Sequence, residues 1–203
     1  MSDPAGAHSE PDDFEKLRAA RGEGWQWSLI QAEPCPQCGL NPADMVPEAL
    51  GPRVVELAGT WRTFLVGTDD GYLRHSPDPG VFSPMQYGAH VSGTLQVAGE
   101  RLELGLEQEA PTVPLFNPGQ EEWAGYNQLD AQALADELEE NAARVAEILG
   151  RLEGSQWSRT VINDRGQYGV YTFTLVGIGR NVVHECHHHL LDAKGTLALG
   201  AVP

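Results

Sequence analysis

Apolar positions recur at intervals of three and four along four long stretches of this chain. Each such stretch predicts a helix with one buried stripe. The first starts at Pro47, a suitable first helical residue, and runs to Leu65 or Val66; Val54, Leu57, Ala58, Trp61 and Leu65 form its stripe. Gly67 stops it, and the residues from Thr68 to Val81 read as loop, with Asp69-Asp70-Gly71 and Ser76-Pro77-Asp78-Pro79-Gly80 as breakers. A second helix follows the cap Ser83 and Pro84 and continues to about Leu106, with Tyr87, His90, Val91, Thr94, Ala98 and Arg101 on one connected stripe. The third is capped by Asp130 and carries the cleanest pattern, from Ala131 and Leu134 through Leu138 and Val145 to Leu152. Its outer face holds Asp136, Glu137, Glu139 and Glu140, a solvated surface in the simplest reading. The fourth begins near Thr172 or Thr174 and ends at Lys194, with Gly195 just beyond it. Gly177 and Gly179 near its start lower its propensity and let another helix come close.

The intervening segments lack this period. Residues 107–128 hold Pro111, Pro114 and Pro118, which forbid a continuous helix, so they predict a polar connection anchored by Trp123 and Tyr126. It crosses one end of the domain, where it can form part of a pocket wall. Residues 157–171 predict a small hairpin turning at Asn163-Asp164-Arg165-Gly166. Upstream of the bundle, residues 1–12 read as a disordered tail, Phe14 to Arg21 as a short helix, and Trp25-Gln26-Trp27-Ser28-Leu29 as an extended segment. Its tryptophans are expected against the bundle or against a second copy in a homodimer. The chain is thus expected to comprise an N-terminal extension, residues 1–41, and an all-α four-helix bundle, residues 42–203, with irregular connections.

Composition narrows the class. The 203 residues suit one domain, and a hydrophobic fraction of 41% supports an ordinary core. With 13 basic against 29 acidic residues the formal net charge is -16, which argues against nucleic acid and against anionic membranes as partners. The polar start Met1-Ser2-Asp3-Pro4 has no basic-apolar leader pattern, and no run of 18 apolar residues exists, so a cytoplasmic protein acting on a small molecule is expected.

Chemistry concentrates in Asn181-Val182-Val183-His184-Glu185-Cys186-His187-His188-His189. On a helix, His184 and His188 differ by only about 40° around the axis and stand one turn apart, an arrangement that holds a divalent metal. His187 borders that face and His189 points largely away. The string also spells the H-E-x-x-H of metallopeptidases, in which Glu acts as base. The extended form of that motif wants Gly and His after the second histidine, and the chain offers Leu190, Leu191 and Asp192 instead. A third ligand must therefore come from upstream. His90, a polar residue on a partly apolar stripe, is the candidate. Cys35-Pro36-Gln37-Cys38-Gly39 is half of a zinc knuckle, a redox pair or a reduced structural turn. As a half-site it would be completed by His8, His75 or a second subunit. Because it precedes the helices, it is expected to be dispensable for the bundle's metal.

This constellation resembles the DinB superfamily of DinB/YfiT-like metalloenzymes over about residues 42–195. The resemblance rests on His90 in Phe82-Ser83-Pro84-Met85-Gln86-Tyr87-Gly88-Ala89-His90, and on His184 and His188 in the last helix. It implies a four-helix bundle in which His90, His184 and His188 share a divalent metal in a pocket. Zn or Ni leads, with Fe or Co also suited to three imidazoles. Some relatives are thiol S-transferases using bacillithiol or mycothiol, and one branch is a mycothiol-dependent maleylpyruvate isomerase, which has Glu where this chain has His184. Three protein ligands leave a position for water or a thiolate. The expected activity is therefore metal-dependent chemistry on a small molecule, with a low-molecular-weight-thiol S-transferase as the leading form. A hydrolase or a non-enzymatic metal-binding bundle are the alternatives. His187, Tyr87 and Glu185 are the candidates for proton handling.

Overall fold

The four helices form where the stripes place them, and their ends carry the chemistry that local sequence predicts. In the computed structural model, which describes residues 33–78, 81–114, 116, 120–164 and 170–195, α1 spans Pro47–Gly67. Proline occupies its first turn, where the missing N–H costs nothing. A one-turn helix, α2, spans Asp70–Leu73 in the stretch read as loop. Asp69 explains it, because its carboxylate accepts from the N–H groups of Gly71 and Tyr72. Helix α3 spans Pro84–Glu107, and Ser83 and Gln86 form a reciprocal capping box at its start. After a short α4 (Gln120–Gly125), α5 runs over Ala131–Gly150 with Asp130 accepting from the Ala133 N–H. Helix α6 spans Leu175–Ala193, and the Thr174 hydroxyl caps it through the Gly177 N–H.

Helix α1 packs along α5 and α6, and α3 also packs along α5 and α6, so α1 and α3 lie diagonally across the bundle. Helices consecutive among the long four are therefore not always neighbours, and the segment holding α2 crosses one end. Trp61 and Leu50 of α1, Leu95 and Leu102 of α3, and Leu138 and Ile148 of α5 are fully buried between them. Gly179 makes room on α6 for the Leu149 side chain of α5 and the Leu50 side chain of α1: a Cβ there would stand 3.1 Å from both.

One feature exceeds the all-helical expectation. Strands β1 (Thr112–Pro114), β2 (Thr160–Asp164) and β3 (Val170–Thr174) form a small sheet in that order. β2 and β3 form the expected hairpin shifted toward the C-terminus: Asn163 and Asp164, read as turn, pair with Tyr171 and Val170, and β3 runs on to Thr174 before the last helix. β1 comes from the proline-containing connection and joins β2 in parallel. Proline excludes helix there, but a three-residue edge strand tolerates it. The readings placed on residues 1–32, including the Phe14 helix and the Trp25 strand, lie outside the described residues.

The candidate metal centres on the last helix

Helix α6 carries two pairs of donor residues at one-turn spacing: His184 with His188, and Glu185 with His189. The pairs are rotated by about 100° from each other. They therefore look toward different neighbours. All four side chains are buried, and the helix is held from behind by the Trp61 indole, which donates to the Cys186 carbonyl at 2.9 Å.

The first pair does not meet His90. His184 (0% exposed) and His188 (2%) have ring centroids 4.9 Å apart and face the Cys35–Cys38 turn. One ligand atom from each of Cys35, Cys38, His184 and His188 lies within 4.8 Å of every other. Cys35 Sγ sits 3.6 Å from His188 Nδ1. The cysteine turn is closed by two backbone bonds, from the Gly39 N–H to the Cys35 carbonyl and from the Cys35 N–H to the Leu40 carbonyl, each 2.9 Å. Gly39 adopts φ +73°, the left-handed region that glycine favours. A hydrogen bond from Cys38, together with the two imidazoles, holds the Cys35 thiol far below its usual range, and sharing that proton pushes Cys38 up. Burial opposes a charge on His184, but Cys35 and Glu185 outweigh it and raise its pKa.

The second pair meets His90. Both His90 Nε2 and His189 Nε2 lie 3.3 Å from Glu185 Oε2. Desolvation raises the Glu185 carboxyl, yet hydrogen bonding to His184, His189 and His90 overcomes it, and the group stays ionised. His189 Nδ1 lies 2.8 Å from Asp192 Oδ2, so Nδ1 donates its proton there and Nε2 is left to face Glu185. Burial alone would lower His189, but Asp192 and Glu185 raise it to about 9. The same Asp192 oxygen is 3.4 Å from His188 Nε2. Asp192 thus orients one histidine of each group.

The donor set at His90, Glu185 and His189 fits a divalent cation. Ligand atoms about 2.0–2.2 Å from a metal at tetrahedral to octahedral angles stand about 2.8–3.6 Å apart. The observed 3.3 Å falls in that range and is long for the charge-assisted hydrogen bond that would otherwise explain it. The group is also approachable. The His90 side chain is 22% exposed and lies among aromatic rings: Phe116 at 6.2 Å, Trp123 at 5.5 Å and His189 at 5.0 Å between centroids. Trp123 stacks on Phe82 at 4.3 Å, and Tyr87 stacks on His189 at 5.3 Å. Burial and the Asp192 charge push the Tyr87 hydroxyl up to about 12.

The grouping expected from the sequence, His90 with His184 and His188, is therefore not the one the fold makes. Helix rotation explains the difference: α3 lies on the Glu185 and His189 side of α6, and the cysteine turn lies on the other. Of the proton-handling candidates, Tyr87 and Glu185 lie at the His90 group. His187 is half-buried and belongs to neither group; burial and then Arg53 lower its pKa. His75 takes no part in the cysteine group, and His8 lies outside the described residues. Sequence reasoning passed over His189, although Glu185 and His189 share the spacing of His184 and His188. The cysteines, read as a structural turn, a redox pair or a zinc half-site and expected to be dispensable for the bundle's metal, adjoin His184 and His188. The second nitrogens of His188 and His189 both reach Asp192, whereas His90 Nδ1 is buried with no hydrogen-bond partner among the described residues.

A family model described as the DinB superfamily matches residues 55–193. The fold is similar to the solved structure of YfiT from Bacillus subtilis, with a TM-score of 0.55 and 16% identity, over 97% of this chain and 91% of that one. That protein is described as a probable metal-dependent hydrolase with an unusual four-helix bundle topology. No curated protein matches the chain.

Proposed function

The chain belongs to the DinB superfamily, and on that premise we propose that it is a divalent-metal-dependent enzyme acting on a small molecule, with His90, Glu185 and His189 holding the metal. The observation that carries this reading is the convergence of two imidazole nitrogens on one Glu185 oxygen at 3.3 Å, on the side of α6 that aromatic rings leave partly open. A cation held there acts as a Lewis acid and lowers the pKa of a thiol or water beside it. The protein's own groups do the rest. Asp192 fixes the tautomer and orientation of His189 through its Nδ1. Glu185 supplies the negative charge that an imidazole-only set would lack. Tyr87, with its hydroxyl pKa raised, keeps its proton near neutral pH and serves as a donor to a leaving group rather than as a base. Trp123, Phe82 and Phe116 offer flat apolar faces that bind and orient an organic substrate and exclude water from one side.

The leading form of this chemistry is transfer of a low-molecular-weight thiol, of the mycothiol type, to an electrophile. The second reading, hydrolysis, is favoured by the description of the similar Bacillus subtilis structure. Metal analysis of untagged protein, with titration of N-acetylcysteine and turnover of an activated ester, separates them. His90→Ala and Glu185→Gln are expected to lose the metal and at least 100-fold in whichever activity is found, an effect of about 3 kcal/mol or more. His187→Ala keeps the metal. Folded His90→Ala and Glu185→Gln proteins with the same metal content as the unaltered chain would sink the assignment.

A further inference from the structure

We propose that Cys35, Cys38, His184 and His188 form a second, structural zinc site that fastens the N-terminal segment to the last helix. The donor set is the first ground. Two cysteines separated by two residues and two histidines separated by three are the S2N2 set of closed zinc sites, and four protein ligands leave no position for substrate. Geometry is the second. With Zn–S of about 2.3 Å and Zn–N of about 2.0–2.1 Å at tetrahedral angles, sulfur and nitrogen stand about 3.5–3.6 Å apart. Cys35 Sγ and His188 Nδ1 stand 3.6 Å apart. The third ground is burial and outer support. Cys35, His184 and His188 are 1%, 0% and 2% exposed, so water has little access to them. His188 presents Nδ1 to Cys35 and Nε2 to Asp192, the histidine–carboxylate pairing that orients metal-bound imidazoles.

The site has a mechanical role in the fold. Residues 35 and 188 are 153 positions apart in sequence. The residues after the turn also touch α6, where Arg180 donates to the Ala43 carbonyl at 3.1 Å. A metal clamp at this point sets where the chain enters α1. It also holds His188 and Asp192, and through Asp192 it steadies His189 in the neighbouring group. Zinc binding here is folding energy for the N-terminal segment.

The test is cobalt(II) substitution of the full, untagged chain, read by absorption and by metal content. The expected result is a thiolate-to-cobalt charge-transfer band with tetrahedral d–d bands, accompanying one equivalent of metal beyond that at His90. Cys35→Ser/Cys38→Ser should lose the band and one equivalent, and His90→Ala should keep the band. The spectrum of the unaltered chain decides the matter even if the double variant does not fold. Metal without a thiolate band, no cobalt bound at all, or Cys35 and Cys38 recovered as a disulfide in freshly isolated protein would overturn the proposal. A thiolate band with only one equivalent, unchanged in His90→Ala, would uphold it while removing the metal proposed at His90.

Discussion

Two faces of one helix turn offer a controlled comparison. His184 and His188 look at two thiols in a buried, four-donor corner; Glu185 and His189 look at one imidazole among half-buried aromatic rings. Helix, spacing and residue depth are shared. The neighbours differ, and so do the number and softness of the donors. Four donors including sulfur close a site, whereas three nitrogen and oxygen donors leave it open for chemistry. The lesson is that a histidine-rich helix need not gather its donors into one group, because adjacent one-turn pairs face separate neighbours about 100° apart.

The largest expected effect comes from emptying the closed corner. If the proposed zinc is bound there, stripping it with a strong chelator should lower the melting temperature by roughly 10 °C, the size expected for a ligand whose dissociation constant lies about 1,000-fold below its concentration in a domain of this length. In a Cys35→Ser/Cys38→Ser chain the chelator should change it by far less. Equal shifts in the two proteins by scanning calorimetry would erase the distinction between closed and open faces.

A smaller effect tests the shared carboxylate. In the metal-free chain the folded-state pKa of His189 is raised from 6.5 to about 9, with Glu185, Asp192, His90, His188 and Tyr87 around it. Folding then favours the protonated ring. Its contribution is complete below about pH 6.5 and is lost as pH rises through about 9, on the order of 3 kcal/mol. Glu185 behaves oppositely: its lowered pKa stabilises above the usual carboxylate range and fails only in acid. Urea melts at pH 6 and pH 9.5 should therefore differ in the metal-free protein, and Asp192→Asn should narrow that difference. An unchanged difference would mean that Asp192 does not hold His189 as described.

The smallest effect belongs to the open side. Trp123→Ala removes the 4.3 Å stack on Phe82 and the ring 5.5 Å from His90. An aromatic contact of about 1 kcal/mol predicts a KM increase of roughly 5-fold with metal content unchanged. A fall in kcat alone would assign Trp123 to the reacting atoms instead of to binding.

Much of the fold is legible in the order of residues. Ser83, Asp130 and Thr174 cap the helices they precede, and the apolar stripes of α1 and α5 become the core, whereas on α3 the buried face runs through Met85, Leu95 and Leu102 and takes only Val91 and Ala98 of the stripe read from the sequence. The small sheet is half legible: residues 157–171 mark a hairpin, although its strands lie at 160–164 and 170–174, and nothing local in Thr112–Pro114 requires a parallel partner. Proline there excludes helix without choosing what replaces it.

The candidate site divides in the same way. The sequence by itself determined that α6 is a helix, that His184 and His188 lie one turn apart on it, and that Cys35 and Cys38 can offer two sulfurs to one point. It also singled out His90 as an upstream donor. Only the tertiary structure decided that His90 faces Glu185 and His189, and that the cysteine turn faces His184 and His188. The reason is geometric. Periodicity specifies angles within one helix, and two adjacent pairs of the same spacing look alike from inside it. Which pair meets which partner depends on the side of α6 where α3 and the N-terminal turn pack. That choice is made by burial across separations of 95 and 153 residues, beyond the reach of any local pattern.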